Sequence, residues 1–338
     1  MKAKLIARAF NSEKSPLENA VPLDTPYSVH IDICSMCNFK CNFCFHCDKD
    51  AMRRKGYKYG SMSFNLFKKI TDDLKEFRHR TRKVKIGLHG EPTLHPELPM
   101  MISYLKSQNV TEIIELFTNA SLLNPKLNKE LIAAGLDRVN ISVEGLSREK
   151  YKEVTGVAVD MDNFIENIRN LYEIRNTCKI YIKIVDINLT LENKNNFFST
   201  FGDICDEIFV EHVVPQWAEI NKFDVDTTGM YGQKVNRYKE VCPFPFMYLH
   251  FNFDGTTSPC TLDWSKEVLI GDIQKESALQ IWQGKNLRNL QIKMLEKKRD
   301  DIRFCCKCLA PVVCCVENLD DHAEMLIEKI NQPRVLPK

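Results

Sequence analysis

The sequence predicts an α/β protein in which parallel strands alternate with helices, followed by a small cysteine-rich domain. Three observations carry this. Strand-like and helix-like periods alternate from about Tyr27 to about Val214. The pattern then breaks, and short β segments of a different composition follow. The 14 cysteines gather mainly in two places, one after the first strand and one near the C-terminus.

The elements follow in order. "YSVHIDIC", from Tyr27 to Cys34, reads as a buried strand. "SFNLFKKITDDLKEF" has helical period, with Ser63 as its N-cap. "KVKIGLHG" is strand-like, and "PELPMMISYLKSQ" reads as a helix with Pro96 in its first turn. "EIIELFTNA" is a strand, and "NPKLNKELIAAG" is a helix closed by Gly135. "LDRVNISVEG" is a strand and "MDNFIENIRNLYEIR" a helix. "KIYIKIVDINLT" and "DEIFVEHVV" complete six strand candidates. This spacing implies parallel β/α units, wrapped as a barrel or an open doubly wound sheet. In either case ligands belong at the carboxyl ends of the strands. "PQWAEINKFDVDTTGMYGQK" reads as a linker. "FMYLHFNFDGTTSPC" holds short strands about a turn at Asp254-Gly255. "ALQIWQGKNLRNLQIKML" is one helical stretch, and "LDDHAEMLIEKI" is a last helix before a Pro-containing tail.

The 338 residues are 44% hydrophobic and 27% charged, enough apolar surface for a sizeable core. The net charge of +2 speaks against a chain-wide nucleic-acid or membrane footprint, so neither partner is expected. The basic stretches Arg53 to Lys58 and Arg78 to Lys85 read as solvated faces, with anion binding as the alternative. The start has too short an apolar run for a signal peptide, and no stretch suits a bilayer span. A cytoplasmic location is therefore expected. There the cysteines are better read as metal ligands than as disulfides.

Two spacings overlap in the first cluster. Cys34-x2-Cys37 with Cys44-x2-Cys47 would make a four-thiolate zinc site. Cys37-x3-Cys41-x2-Cys44 would put three thiolates on one loop, leaving one iron of a cubane cluster open to an outside ligand. The location after the first strand favours the second reading. At the second strand end lies His89-Gly90-Glu91-Pro92. Gly90 permits close backbone approach, Pro92 fixes the chain, and Glu91 suits a cationic amine. Asn119 lies at the third strand end. At the fourth, Ser142 and Glu144 alternate onto one side, where they could hydrogen-bond a ribose. Cys34, Cys178 and Cys205 read as structural, Cys47 has no place in the triad, and His46 and His95 read as loop hydrogen-bonders.

Cys37, Cys41 and Cys44, with Phe43 before the last cysteine, resemble the signature of the radical S-adenosylmethionine (SAM) superfamily. His89-Gly90-Glu91-Pro92 resembles its "GGEP" motif, with His in place of the first Gly. The resemblance implies a partial (β/α)6 TIM-type barrel over about residues 25–215. It implies a [4Fe-4S] cluster on the three cysteines whose open iron takes the methionine amine and carboxylate of SAM. Gly90, Glu91, Pro92, Asn119, Ser142 and Glu144 would then be cofactor contacts, and the active species a 5′-deoxyadenosyl radical.

In the C-terminal region, Cys242, Cys260 and the pair Cys305-x2-Cys308 could fully ligate one cubane cluster, or a zinc ion. "CPFPF", "FNFDGTTSPCTLDW", "IGDI", "ALQIW" and "CCKC" together resemble the SPASM/twitch extension of the same superfamily. Cys314 continues the longer seven-cysteine pattern, but Asn318 stands where a further ligand is expected. The resemblance thus implies one auxiliary [4Fe-4S] cluster on Cys242, Cys260, Cys305 and Cys308, with Cys306, Cys314 and Cys315 as spectators. The expected divisions are an N-terminal extension (1–24), barrel (25–215), linker (216–241), SPASM/twitch domain (242–316), and C-terminal helix with tail (317–338).

The spacing Cys242-x17-Cys260 and Cys305-x2-Cys308 is similar to that of aminocyclitol-type radical SAM dehydrogenases. That implies hydrogen abstraction from a carbon bearing a hydroxyl, with the auxiliary cluster as electron acceptor. The expected partners are a small-molecule substrate, sugar-like or nucleotide-linked, and a reductant such as flavodoxin or ferredoxin. Asp263 and the Lys and Arg of the linker are candidate bases by position, though Asp263 reads better as a turn cap. Rival readings are a peptide or protein maturase, including the sulfatase-maturing type, a viperin-like nucleotide enzyme, and a zinc-stapled binding protein.

Overall fold

Ten strands join in one sheet among the residues described by this computed structural model, which are 1–9, 15–187, 189–218, 220, 223–235 and 237–332. They are β1 (Lys4–Leu5), β2 (Ser28–Ile31), β3 (Thr81–Ile86), β4 (Thr111–Thr118), β5 (Arg138–Val143), β6 (Lys179–Val185), β7 (Glu207–Glu211), β8 (Tyr248–Phe251), β9 (Thr256–Ser258) and β10 (Gly271–Asp272). Their order is β1-β7-β6-β5-β4-β3-β2-β8-β9-β10. From β2 to β7 every neighbour is parallel and follows in chain order, the six-stranded core of a partial (β/α) barrel. β1 adds a parallel edge next to β7, so the stretch expected as an extension supplies a strand. On the other side β8 runs parallel to β2 and carries the sheet into the cysteine-rich region, where β9 and β10 are antiparallel.

Period-2 alternation gives the sheet two distinct faces. Val29, Ile31, Val84, Ile86, Ile114, Leu116, Val139, Ile141, Ile180, Ile182 and Ile208 are fully or nearly fully buried on one face. Burying each stabilises the fold by roughly 1.5–3 kcal/mol. The opposite phase is polar and internally paired. Lys83 meets Glu115 at 3.0 Å, Arg138 meets Glu207 at 2.5 Å, and Lys183 meets Glu211 at 3.4 Å.

Four of the helices between the barrel strands start at a side-chain cap. Ser63 caps Phe64–Asp73, Asn124 caps Pro125–Ala133, Ser147 caps Arg148–Thr155, and Asp160 caps Met161–Ile174. Gly135, at φ +92°, follows the second of these as expected. Two expectations need correction. The helix after the 89–92 turn runs Leu98–Gln108, so Pro99 rather than Pro96 lies in its first turn. The stretch from Ala278 splits into Ala278–Gln283 and Lys285–Leu295. Gly284 breaks it with extended backbone, and a Cβ there would sit 2.8 Å from the Gln280 carbonyl oxygen.

The C-terminal region docks on the barrel through one continuous core. Trp282 Nε1 donates to the Leu23 carbonyl at 3.0 Å, and the Ala278 N–H donates to Asp73 at 3.1 Å. The Asp254-Gly255 turn joins β8 to β9 with Gly255 at φ +86°. The Pro-containing tail from 333 and Lys222 of the linker lie outside the described residues. No helix among the described residues is long and apolar enough to cross a membrane.

Candidate active site and cluster-binding sites

The loop after β2 is anchored by its aromatic residues. Phe39 is buried and meets Tyr151 edge-on at 6.1 Å, and Phe45 is buried on the other side. The Lys40 and Asn42 N–H groups donate to the Thr155 and Val154 carbonyls, binding the loop to the helix 148–155. Cys37, Cys41 and Cys44 are left half-buried between these anchors. Burial pushes the Cys37 thiol up to about 11 and the Cys44 thiol up to about 12. Burial raises Cys41 further, helped by Glu144, Cys44 and Cys37. Such thiols ionise only when a cation compensates them, as a bound metal does.

The 89–92 turn sits against this loop. A Cβ on Gly90 would lie 2.3 Å from the Cys34 carbonyl oxygen and 2.5 Å from that of Met36, so only glycine fits. The Glu91 N–H donates to the Met36 carbonyl at 2.8 Å. The buried Glu91 carboxylate accepts from the Asn119 N–H, Thr118 Oγ1, Thr93 N–H and Thr93 Oγ1 at 2.6–3.0 Å. In this geometry it braces the turn against the end of β4. Pro92 opens the short turn Pro92–Leu94.

Asn119 Nδ2 donates to Asn38 Oδ1 at 2.9 Å and lies 4.0 Å from the Cys37 sulfur. Ser142 on β5 lies opposite Lys183 of β6. Glu144, two residues on, is buried, and its Oε2 has no hydrogen-bond partner. Burial raises its pKa. An open groove beside it is lined by Phe43, Gly145, Leu146, Lys150 and Ile184. An orphaned carboxylate oxygen between a cysteine loop and a groove suits a hydroxyl-bearing ligand.

Cys242, Cys260, Cys305 and Cys308 line one small cavity with Phe244 and Arg299. Burial raises the Cys242 thiol, helped by the other three. The Arg299 guanidinium is buried and donates to the Cys308 carbonyl at 3.0 Å. Four thiols around one cavity are a donor set that a cubane cluster or a zinc ion can use, and the SPASM match to this region favours the cluster.

The remaining candidates fall into place. Cys34, Cys178 and Cys205 are buried, and Cys306 is exposed. His46 Nε2 lies 2.6 Å from the His89 carbonyl oxygen, and His95 Nε2 lies 2.8 Å from that of Met62, so both are loop hydrogen-bonders. Asp263 accepts from the Glu267 and Val268 N–H groups and caps that turn. Several of the basic residues are paired at the surface, as Arg53 is with Asp50 and Arg78 with Asp24. Lys55 instead reaches Glu267 across the seam between barrel and cysteine-rich region, at 2.5 Å. Sequence reasoning missed Asp32 and His250, which meet at 2.7 Å. Their signal was faint: polar residues in the inward phase of two apolar strands.

Comparison with known proteins accords with this geometry. Residues 31–190 match the radical SAM superfamily, and residues 242–309 match the iron-sulfur cluster-binding SPASM domain. A probable GTP 3′,8-cyclase of Methanococcus maripaludis is 39% identical over 128 residues, 38% of this chain and 40% of that protein. The match thus spans well under half of that relative. The structure of BtrN in complex with AdoMet and 2-DOIA aligns over 87% of this chain and 97% of BtrN, with TM-score 0.56 and 14% identity. Streptococcus suis SuiB bound to its precursor peptide SuiA aligns over 81% of this chain and 69% of SuiB, with TM-score 0.63 and 15% identity. At such identities the likeness is one of fold. These domains imply SAM and [4Fe-4S] clusters as cofactors, and the two cysteine sites fit them. Residues 31–190 are thus a radical SAM superfamily domain, followed at 242–309 by an iron-sulfur cluster-binding SPASM domain.

Proposed function

We propose that this enzyme oxidises a hydroxyl-bearing small molecule of the sugar or cyclitol class to the ketone. The observation that carries this reading is the set of four thiols, Cys242, Cys260, Cys305 and Cys308, lining one cavity. When bound, SAM with the first cluster supplies hydrogen-atom abstraction, and an auxiliary [4Fe-4S] cluster supplies an electron sink. The substrate carbinol loses a hydrogen atom, a proton and an electron in sum.

The chain's own residues divide the work. Cys37, Cys41 and Cys44 would hold the first cluster. The backbone of Gly90 to Pro92, held by the Glu91 brace, presents polar groups to the methionine end of SAM. Asn119, Ser142 and Glu144 meet the ribose. BtrN, whose complex contains AdoMet and 2-DOIA, shares this fold over 87% of this chain and 97% of its own, which is compatible with a small-molecule substrate. The reductant in this reading is a flavodoxin or ferredoxin.

A second reading is action on a nucleotide. It is favoured by the 39% identity to the probable GTP 3′,8-cyclase over the matched region.

The test is an anaerobic count of iron, sulfide and zinc in wild type and in the Cys37/Cys41/Cys44→Ala variant. About eight irons falling to about four supports two cubane clusters. About four falling to none removes the auxiliary cluster and the dehydrogenase reading with it. Zinc in place of iron rejects both. Screening polyols, nucleotides and peptides for stimulation of SAM cleavage then separates the substrate classes.

A further inference from the structure

A buried polar network joins the 89–92 turn to the loop that carries Cys260. Asp32 is 1% exposed, His89 5% and His250 0%. Asp32 Oδ1 accepts from the Leu88 and His89 N–H groups at 2.8 and 3.0 Å. Its Oδ2 lies 2.9 Å from His89 Nδ1 and 2.7 Å from His250 Nε2. On the far side of each ring stands a backbone carbonyl. His89 Nε2 donates to the Thr261 oxygen, and His250 Nδ1 lies 3.3 Å from the Cys260 oxygen.

The contact to Thr261 has a consequence for the sulfur of Cys260. The Thr261 carbonyl and the Leu262 N–H belong to one planar trans peptide and point in opposite directions. With its oxygen held by His89, that peptide turns its N–H toward Cys260 Sγ, 3.2 Å away. Hydrogen bonds to cluster-ligating sulfurs stabilise the reduced, more negative cluster.

Asp32 Oδ2 lies at ordinary hydrogen-bond distances from both inner ring nitrogens, so the trio is read as a hydrogen-bonded network. The three donor atoms are also close enough together to hold a metal ion, an outcome that the zinc measurement below tests. A fully satisfied buried network is rigid, and losing one member leaves a buried group unpaired.

We propose that His89 is a positioning residue for the auxiliary cluster: it grips the Thr261–Leu262 peptide so that the Leu262 N–H stays on Cys260 Sγ. Asp32 orients His89 and ties it to His250. This rests on the reading that Cys260 ligates a cluster. The histidine in place of the first glycine of the superfamily motif thereby gains a role at the second metal site, not the first.

The experiment uses full-length Cys37/Cys41/Cys44→Ala protein, which in this reading retains only the auxiliary cluster. Its midpoint potential is measured by redox titration followed by electron paramagnetic resonance. His89→Ala is expected to shift the potential to a more negative value with the iron content unchanged. Asp32→Asn, nearly isosteric, is expected to shift it the same way by less. His89→Gln, which keeps a side-chain N–H, is expected to recover part of the shift. An unchanged potential in both His89→Ala and Asp32→Asn, with iron retained, overturns the proposal while leaving the cluster in place. Absence of iron from the triple-alanine background overturns the cluster reading itself, before any His89 variant is made. An equivalent of zinc that is lost in His250→Gln would make the trio a metal site and overturn the positioning role.

Discussion

Phe45, next to Cys44, lies stacked on Trp264, four residues after Cys260, with ring centroids 5.2 Å apart and planes 12° from parallel. The same Phe45 ring meets His89 edge-on at 5.6 Å and Trp217 at 4.9 Å. The two cysteine loops are thus held in fixed relation by aromatic packing as well as by the Asp32 network. Trp264 is 1% exposed, so its truncation leaves a cavity in this seam. Trp264→Ala is expected to cost about 3–5 kcal/mol, and Trp264→Phe clearly less. Urea unfolding of the two variants tests this, and a cost below about 1 kcal/mol for alanine would contradict the seam.

Gly90→Ala should damage the first site without touching the second. The added methyl meets two carbonyl oxygens of the cysteine loop, those of Cys34 and Met36. Neither is the tip of a flexible side chain, so the backbone has to move. We expect SAM binding weakened by more than about tenfold, as for loss of a well-placed polar contact. Iron retained in the Cys37/Cys41/Cys44→Ala background would show that the second site is intact. Equilibrium dialysis with labelled SAM gives the first quantity and iron analysis the second.

Glu144→Gln separates binding from folding. Glu144 Oε2 has no internal partner, so the amide breaks no contact of that atom. Burial raises the pKa of this carboxyl, so replacing it with a neutral group spares a desolvation cost. The melting temperature should hold or rise. A hydrogen bond from a ribose hydroxyl to a carboxylate contributes about 1.5–3 kcal/mol, so SAM affinity should fall about 10- to 100-fold. A variant that binds SAM as tightly as wild type would remove Glu144 from the cofactor site.

His212 gives the fold a pH dependence that can be isolated. Its ring nitrogens lie 2.8 Å from Asp186 and 3.0 Å from Asp226. Burial works against its charge, but the two carboxylates outweigh burial and raise its pKa above the usual histidine value. A pKa raised by folding stabilises fully below the unfolded value of about 6.5 and loses that contribution as pH rises through the folded value. The melting-temperature difference between wild type and His212→Gln should therefore be largest near pH 5.5 and shrink toward pH 9. A difference that stays constant across that range would contradict the ion pairing.

Much of the architecture was legible because it rests on local rules. Ser63, Asn124 and Asp160 cap helices whose periods were read from the sequence, whereas the helix Arg148–Thr155 behind Ser147 was not read there. Strand phases are written in the alternation of residues such as Val139, Asn140, Ile141 and Ser142. The loop from Cys37 to Cys44 and the glycine at position 90 are contiguous, so spacing alone exposes them. Features set by distant partners were harder to read. β1 is two residues long and has meaning only beside β7. The break at Gly284 depends on how tightly the preceding helical turn closes.

The sequence by itself singled out the residues proposed to carry the chemistry: the three-cysteine loop, the 89–92 turn, and the four C-terminal cysteines. Local spacing and strand-end position suffice for that, because each motif is short. Only the tertiary structure decided how the two sites are joined. Asp32 and His250 are 218 positions apart, and His89 and Thr261 are 172 apart. No periodicity encodes such pairs. They meet because β8 returns to lie parallel beside β2, and a buried carboxylate there must find its hydrogen bonds within reach.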